Sequence, residues 1–543
     1  MTVPYKNVGP KTSATPQNRA ASPKQKANNA GGYSFTLDNF GRLDRFLILG
    51  ADAPTYYASQ RDLAIENVKC VSDCLNEDGI RTVNRIVEIS TDGRAARNDA
   101  ALLALAMASA HDDQIVRTHA LKALPKVARI GTHLFHFAEY VEQFRGWGRA
   151  LKRAVADWYL TKDSDKLAYQ LVKYRQRDGW SHRDLLRLSH PKSSDQTVNH
   201  MFDWVCGRDV DFANLPSTVT AYEYAKDADT KTLVNLIKEN NLPREAIPTD
   251  KLTNRKVWEA LFENMPMTAM IRNLGVMSSN EINLFKPMST YEQEAVRRLT
   301  DAAYIQNARV HPFSVLLALK TYSAGRGFRG DKSWNVNANI VSALEDAFKL
   351  AFKNVVPTGK RHLLALDVSG SMQVELMNTN ISAREASAAM ALITMKTEPV
   401  THTVGFTRSG GGYGYYRSSS SKGNRGVTPL DLGRASTVKG VVNKISGLPF
   451  GGTDCAAPML YAMDEGIETD VFVVYTDSET WAGRIHPHEA LRDYRKKMGI
   501  DAKLVVVGMT STGFTIANPD DSGMLDVVGF DSNAPSVIAD FVR

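Results

Sequence analysis

The sequence predicts two parts in tandem: a long all-α body of stacked helices, then a doubly wound α/β domain with a mainly parallel sheet. Three observations carry that prediction. From about residue 33 to 355, apolar residues recur at i, i+3, i+4 and i+7, the period of an amphipathic helix. After VPTGK, residues 356 to 360, short apolar runs alternate with amphipathic stretches, the rhythm of parallel strands joined by helical crossovers. Charge divides at the same place: residues 1–360 hold 49 Lys and Arg against 39 Asp and Glu, whereas residues 361–543 hold 17 against 20. The basic character therefore belongs to the helical body, and polyanions are the first partners to consider.

The chain opens on MTVPYKNVGPKTSATPQNRAASPKQKANNAGG, residues 1–32, which is polar and has no apolar segment of the kind a secretory signal needs. It reads as a disordered tail. At 543 residues, with 43% hydrophobic and 23% charged, the chain is long enough for two or more domains. No run of about 18 apolar residues occurs, so no membrane span is expected. Only four cysteines are present, and Cys70 and Cys74 lack a second pair nearby. They read as reduced buried thiols in a cytoplasmic protein rather than as a zinc site.

Residues 33–358 form the helical body, in segments such as AALLALAMASA, TVNRIVEIS, TLVNLIKENN, KVWEALFENM and NIVSALEDAFKLAFKNVV. Short helices with short connections suggest a stacked repeat, although no fixed-period repeat is visible. One region stands out for its charge. On a helical wheel of GWGRALKRAVADWY, Trp147, Leu151, Ala154, Val155 and Trp158 share one sector, and Arg149, Lys152 and Arg153 occupy the opposite one. In DKLAYQLVKYRQRDGW, Leu167, Leu171 and Tyr174 make the apolar stripe, with Lys173 and Arg177 one turn apart on the surface. Gly179 ends that helix, and Ser181 with Asp184 has the form of a capping box for the next. There Arg183, Arg187 and His190 fall at i, i+4 and i+7, and His190 also suits a C-terminal cap. Each basic face alone could be a solvated surface. Three in succession, with few acids between, suit a phosphate backbone.

Residues 359–543 form the α/β domain, with strands expected in RHLLALD, THTVGF, DVFVVYTD, DAKLVVVGM and MLDVVGF, and helices in AREASAAMALITMK and HEALRDYRKKM. Ligands in such sheets sit at the carboxyl ends of strands, where LLALDVSGSM ends its own. Asp367, Ser369 and Ser371 alternate, so their oxygens can face one side. A hard cation such as Mg2+ needs a shell of carboxylate, hydroxyl and water oxygens. Thr453 in PFGGTDC and Asp477 after VFVVYT are further donors at strand ends. Each piece alone is also ordinary turn chemistry. Asp454 is expected to point away if Thr453 points in. The Gly/Ser/Tyr/Arg stretch from 407 to 426 reads as an inserted surface loop, either a solvated insertion or a second contact for nucleic acid.

The D-x-S-x-S loop, the threonine in a Gly-rich turn and the later aspartate, in that order, resemble the von Willebrand factor A domain and its metal-ion-dependent adhesion site. That resemblance implies Asp367, Ser369, Ser371, Thr453 and Asp477 as metal ligands, with a place left for a partner's oxygen. Two aspartates and three hydroxyls are too few for a two-metal nuclease, and no nucleophile-and-base arrangement has an interpretable context. A noncatalytic protein is expected.

Over nearly the whole chain after the tail, the sequence resembles the Ro autoantigen family of TROVE proteins. The motifs are GWGRALKRAVADWY, KYRQRDGWSHRDLLRLSH, MPMTAMIRNLG, ARVHPF, PTGKRHLLALDVSGSM, GGTDC, TDSETWAG, LRDYRKKM and GMTSTGFTIANPDD. The resemblance implies a HEAT-like repeat ring closed by the von Willebrand-type domain. It implies small noncoding Y RNA on the outer surface, with Lys173, Arg177 and His190 as contacts. It also implies single-stranded 3′ ends of misfolded RNAs in a central hole, a separate exoribonuclease as partner, and a monomer. Arg272, Asn273, Arg309 and His311 lie in matched motifs and are candidates either for the hole or for a repeat interface. A second reading takes the α/β domain as a metal-dependent protein-binding module with the ring as scaffold.

Overall fold

The computed structural model describes residues 14–50, 60–328, 331–352, 355–407, 426–433, 436–448 and 451–543. Its first described segment corrects the expected tail. Residues 14–32 are ordered against the α/β domain and run into two antiparallel strands, β1 (Lys26–Ala27) and β2 (Tyr33–Thr36). Gln17 is fully buried and uses both ends of its amide. Its Nε2 donates to Asp454 Oδ1 and to the Ile485 carbonyl, at 2.9 and 2.8 Å, while its Oε1 accepts from Thr480 Oγ1 at 2.6 Å. Gly32 passes so close that a Cβ there would lie 2.0 Å from the Thr480 carbonyl oxygen, so only glycine fits. Polar composition suggested disorder because its hydrogen-bond partners lie more than 400 residues away, beyond any local pattern. The expectation for residues 1–13 lies outside the described residues.

The body is helical, as expected, from the helix Asn39–Leu49 to the helix Ala338–Leu350. Neighbouring helices pack pairwise along the chain, burying one continuous apolar core. The array then closes on itself. Arg309 Nη1 donates to the Thr91 carbonyl at 2.8 Å, and His311 Nε2 donates to the Arg94 carbonyl at 3.0 Å. These bonds join the end of the helix Gln60–Asp92 and the loop after it to the start of the helix Pro312–Ser323. The result is a ring of helical repeats rather than an open solenoid.

One local expectation fails. The helix Ser164–Lys173 stops at Lys173, and the chain turns into a hairpin of β3 (Gln176–Arg177) and β4 (Trp180–Ser181). Asp178 and Gly179 at its tip have φ of 52° and 79°, the left-handed pair that an Asp-Gly hairpin turn requires. Arg177 is therefore on a strand, and Lys173 and Arg177 are not one helical turn apart. Ser181 and Asp184 do form the expected capping box, at the start of the helix His182–Ser189.

His182 anchors that helix in the core. Its Nδ1 lies 2.9 Å from the Tyr159 hydroxyl, and burial holds its pKa down to about 3. A depressed imidazole gives stability that is complete above its unfolded pKa of about 6.5 and is lost as pH falls toward 3. The stability gap between the parent and His182→Gln should therefore narrow by ~2 kcal/mol between pH 7 and pH 5. Denaturant titrations at the two pH values measure it. A gap independent of pH would mean that His182 is not buried in its neutral form.

The α/β domain is a six-stranded sheet. Its strands are β5 (Arg361–Asp367), β6 (Val400–Phe406), β7 (Val427–Pro429), β8 (Val471–Thr476), β9 (Lys503–Gly508) and β11 (Met524–Val528), in the order β11-β9-β8-β5-β6-β7. All pairings are parallel except β6 with β7. A short strand before the last, β10 (Phe514–Thr515), pairs with β2 instead and fastens the N-terminal segment. The chain order reverses between β5 and β8, and the crevice at their carboxyl ends is where such sheets bind ligands. Among the described residues, three ion pairs seat this domain on the ring: Arg45 with Asp526, Arg94 with Asp531, and Lys320 with Glu385. Among the described residues, no helix is long and apolar enough to cross a membrane.

Candidate functional site

Asp367 ends β5 and Asp477 follows β8, so the switch point of the sheet brings the two carboxylates together. Both are buried, as are Ser369, Ser371 and Thr453. Asp367 accepts from the Ser369 amide at 2.9 Å and from Thr476 Oγ1 at 2.7 Å. Ser369 and Ser371 place their hydroxyls 3.0 Å apart, and Asp477 accepts from the Glu479 amide at 3.0 Å. The turn carrying Thr453 is held against the loop after Asp477, because the Thr453 carbonyl accepts from the amides of Trp481 and Ala482. Asp367, Ser369, Ser371 and Asp477 thus lie together, and the turn carrying Thr453 is packed beside them. Asp454 turns away, accepting from Gln17 and from the Ala456 amide.

The electrostatics are those of a site short of positive charge. Burial, then the neighbouring Asp477 charge, pushes the Asp367 carboxyl up to about 7, and burial likewise raises Asp477. Thr453 Oγ1 is buried with no hydrogen-bond partner, which costs about 1–3 kcal/mol unless something fills its coordination. Two carboxylates and three hydroxyls are a donor set that fits one hard divalent cation. No cluster of three or more acidic, histidine or cysteine ligands occurs among the described residues.

Two supporting residues escaped the sequence reading. Thr476 orients Asp367, as the hydrogen bond above shows. Arg384 is buried at the start of the helix Ala383–Thr397, and its guanidinium donates to the carbonyls of Val368 and Ser369, bracing the loop from behind. An arginine among the small residues of AREASAAMAL was the available signal. The insertion from 408 to 425 lies outside the described residues. Its described flanks are joined, with the Thr407 amide donating to Gly426 O, and Thr407 Oγ1 donates to Gly452 O beside Thr453.

The basic elements also come together. The helix Arg149–Leu160, the β3–β4 hairpin and the helix His182–Ser189 are packed in one region, with Trp147 against Trp180 at 5.4 Å between ring centres. Arg149, Arg153, Arg177, Arg183, Arg187 and His190 are exposed, and Lys152 and Lys173 are half-buried. Lys173 Nζ donates to the Tyr169 hydroxyl at 3.1 Å and lies over the rings of Tyr169 and Tyr174. His190 caps its helix in the left-handed conformation, φ 48°. Trp147 precedes its helix rather than lying on it.

The four candidates for the hole separate. Arg272 is exposed in a cavity of about 430 Å3, together with Arg97, Lys332, Trp334 and Thr379. Asn273, the next residue on the helix Met267–Met277, faces a different cleft that Lys173 also lines. Arg309 and His311 make the bonds of a repeat interface, the second of the two roles expected for them, as described above. His311 is buried, caps its helix through Nδ1, and is held neutral by burial with a pKa of about 4.

Comparison with known proteins agrees with this architecture. The TROVE domain family matches residues 26–241 and 238–324, and the Ro60 vWA domain family matches residues 361–542. The chain is 39% identical to the RNA-binding protein RO60 of Deinococcus radiodurans, over 97% of each chain. It is 34% identical to the RNA-binding protein RO60 of Caenorhabditis elegans, over 95% of this chain and 90% of that one. The crystal structure of the Deinococcus radiodurans RO (RSR) protein superposes with a TM-score of 0.68, covering 93% of this chain and 99% of the other. With both domain families matched in order and relatives matched nearly end to end, the chain belongs to the Ro family of TROVE proteins.

Proposed function

We propose that this protein binds RNA without turning it over, holding small noncoding RNA of the Y type on its outer surface and single-stranded ends of misfolded RNAs in the central hole. The observation that carries the reading is the packing of basic elements into one region, with Arg177 on the hairpin, His190 at the end of the helix His182–Ser189 and Lys173 at the end of the helix before the hairpin. Relatives over the whole length named as RNA-binding proteins support it. On this reading the protein works as a cytoplasmic monomer in RNA quality control, and a separate exoribonuclease degrades what it holds. Phosphate contacts dominate such binding, so affinity falls steeply with salt. Lys173→Ala combined with Arg177→Ala should weaken binding of a structured small RNA and lower the slope of log K against log salt by about two. Titrations of variant and parent that superimpose across salt would remove the outer site from the proposal.

The α/β domain carries a second reading, favoured by the orphaned Thr453 hydroxyl. Asp367, Ser369, Ser371, Thr453 and Asp477 would hold one Mg2+, whose chemistry is to accept an oxygen ligand such as a partner's carboxylate. In a pulldown, chelator or Asp367→Ala should release a protein partner while RNA stays bound. A partner retained under both conditions would exclude metal-dependent docking.

A further inference from the structure

Gln17 lies where the N-terminal segment wedges between the turn carrying Thr453 and the loop that follows Asp477. Every hydrogen-bonding position of its side-chain amide is taken. Nε2 donates to Asp454 Oδ1 and to the Ile485 carbonyl, while Oε1 accepts from Thr480 Oγ1 at 2.6 Å and from the Gly483 amide at 3.0 Å. A primary amide has two N–H donors and two lone pairs to offer, and flipping this one would set its donors against the Gly483 N–H. The backbone is fixed as well: the Gln17 amide donates to the Gly483 carbonyl at 3.0 Å, and the Gln17 carbonyl accepts from the Tyr33 amide at 2.8 Å. A Cβ on Gly483 would lie 2.3 Å from Gln17 Nε2 and 2.4 Å from Asp454 Oδ1, so these groups are packed without room to shift.

We propose that Gln17 is a positioning residue for the cation site, setting the turn so that Thr453 offers its hydroxyl while Asp454 stays out; the inference rests on the reading of that site as one for Mg2+. Thr480 is the link. Its hydroxyl has a single proton, and committing that proton to Gln17 Oε1 leaves the oxygen's lone pairs to the Cys455 amide, at 3.1 Å. The Thr453 carbonyl accepts from the amides of Trp481 and Ala482, at 3.2 and 3.0 Å. The main chain is thus pinned on both sides of Asp454, and the Thr453 hydroxyl is left buried with no hydrogen-bond partner. Asp454 Oδ1 accepts from Gln17 Nε2 and from the Ala456 amide, which keeps a third carboxylate away from Asp367 and Asp477. Without the Gln17 amide, the Thr480 proton is free to turn to the Thr453 carbonyl, 3.4 Å away, and Asp454 loses one of its donors. Residues that orient metal ligands in this way govern affinity by about 10–100-fold.

The test is isothermal titration of Mg2+ into the full chain freed of RNA. Gln17→Met keeps an unbranched side chain of similar size and removes its hydrogen bonds. It should weaken Mg2+ binding by about tenfold or more, with a melting curve as the check on its fold. Thr480→Val removes the same link from the other side and should weaken Mg2+ to a similar degree; it decides the matter where Gln17→Met does not fold. Gln25→Met is the comparison. Gln25 ties the same segment to the α/β domain, with its Nε2 3.1 Å from His486 Nδ1 and its Oε1 accepting from the Ala21 amide. Among the described residues, its side chain bonds to none in the Thr453 turn. Gln25→Met should therefore lower the melting temperature and leave Mg2+ affinity within about twofold of the parent, below the range for a residue that orients ligands. Affinities in Gln17→Met and Thr480→Val equal to the parent's would overturn the proposal. An equal loss in Gln17→Met and Gln25→Met would overturn it too, by assigning the effect to the segment as a whole. The cation reading fails separately, and takes the role of Gln17 with it, if the parent takes up no Mg2+ or if Asp367→Asn takes it up as tightly.

Discussion

Replacing Arg94 by Leu is expected to destabilise the protein by about 3–5 kcal/mol, the cost of leaving a buried charge without its partner. Arg94 and Asp531 are both almost fully buried, and the guanidinium reaches the carboxylate through Nε, at 3.2 Å, and Nη2, at 2.6 Å. The pair joins the loop at the ring's closing point to the α/β domain, since the carbonyl of the same Arg94 accepts from His311. Arg94→Leu strands the Asp531 charge. The double variant Arg94→Leu, Asp531→Leu should recover most of the loss, because a buried pair exchanged for apolar groups is often near neutral. Recovery should stop short by about 1 kcal/mol, because Asp531 also accepts from the Asn533 amide at the start of the last helix. Denaturant unfolding of the parent, the single and the double variant measures both numbers. A single variant within 1 kcal/mol of the parent would mean that other contacts hold the ring to the domain.

Excess Mg2+ is expected to stabilise the parent by ~2.7 kcal/mol when its concentration is 100 times the dissociation constant, and to leave Asp367→Asn unmoved. The asparagine keeps the shape of the side chain and removes one of two buried negative charges. Without metal the order reverses: Asp367→Asn should melt above the parent, because the parent's Asp367 is ionised near neutral pH only against burial and the Asp477 charge. Melting curves in Mg2+ and in chelator show whether the two proteins exchange order. If they melt alike in both conditions, the five oxygens do not form a cation site, and the hydroxyl of Thr453 needs another explanation.

Much of the candidate cation site was legible because Asp367 and Asp477 sit at strand ends; Thr453, expected at a third, lies instead between the helices Val438–Ser446 and Ala457–Glu465. The alternation Asp367, Ser369, Ser371 directs three side chains one way, and the runs before Asp367 and Asp477 are apolar enough to identify adjacent buried strands. Arg384 stood out only as an arginine among small residues, and its role was not legible, since the carbonyls of Val368 and Ser369 that it meets are brought near only by the packing of its helix. The basic faces were found by period, yet Lys173 and Arg177 were given the wrong geometry. A helical period continues through KYRQRDGW in letters, but the left-handed Asp178–Gly179 pair ends it in space. For Arg309 and His311 the sequence left a hole and a repeat interface open, because nothing in their motif said that their hydrogen bonds would reach back some 217 residues.

By itself, the sequence determined the two-part architecture, the sign of charge on each part and the strand that ends in Asp367. These follow from period, composition and local turn chemistry, which act over a few residues. Only the tertiary structure decided which residues close the ring, that residues 14–32 are bound to the α/β domain, and that Arg272 and Asn273 face different cavities. Those outcomes depend on which carbonyls and amides meet across hundreds of residues, where local preference says nothing and packing selects the partner.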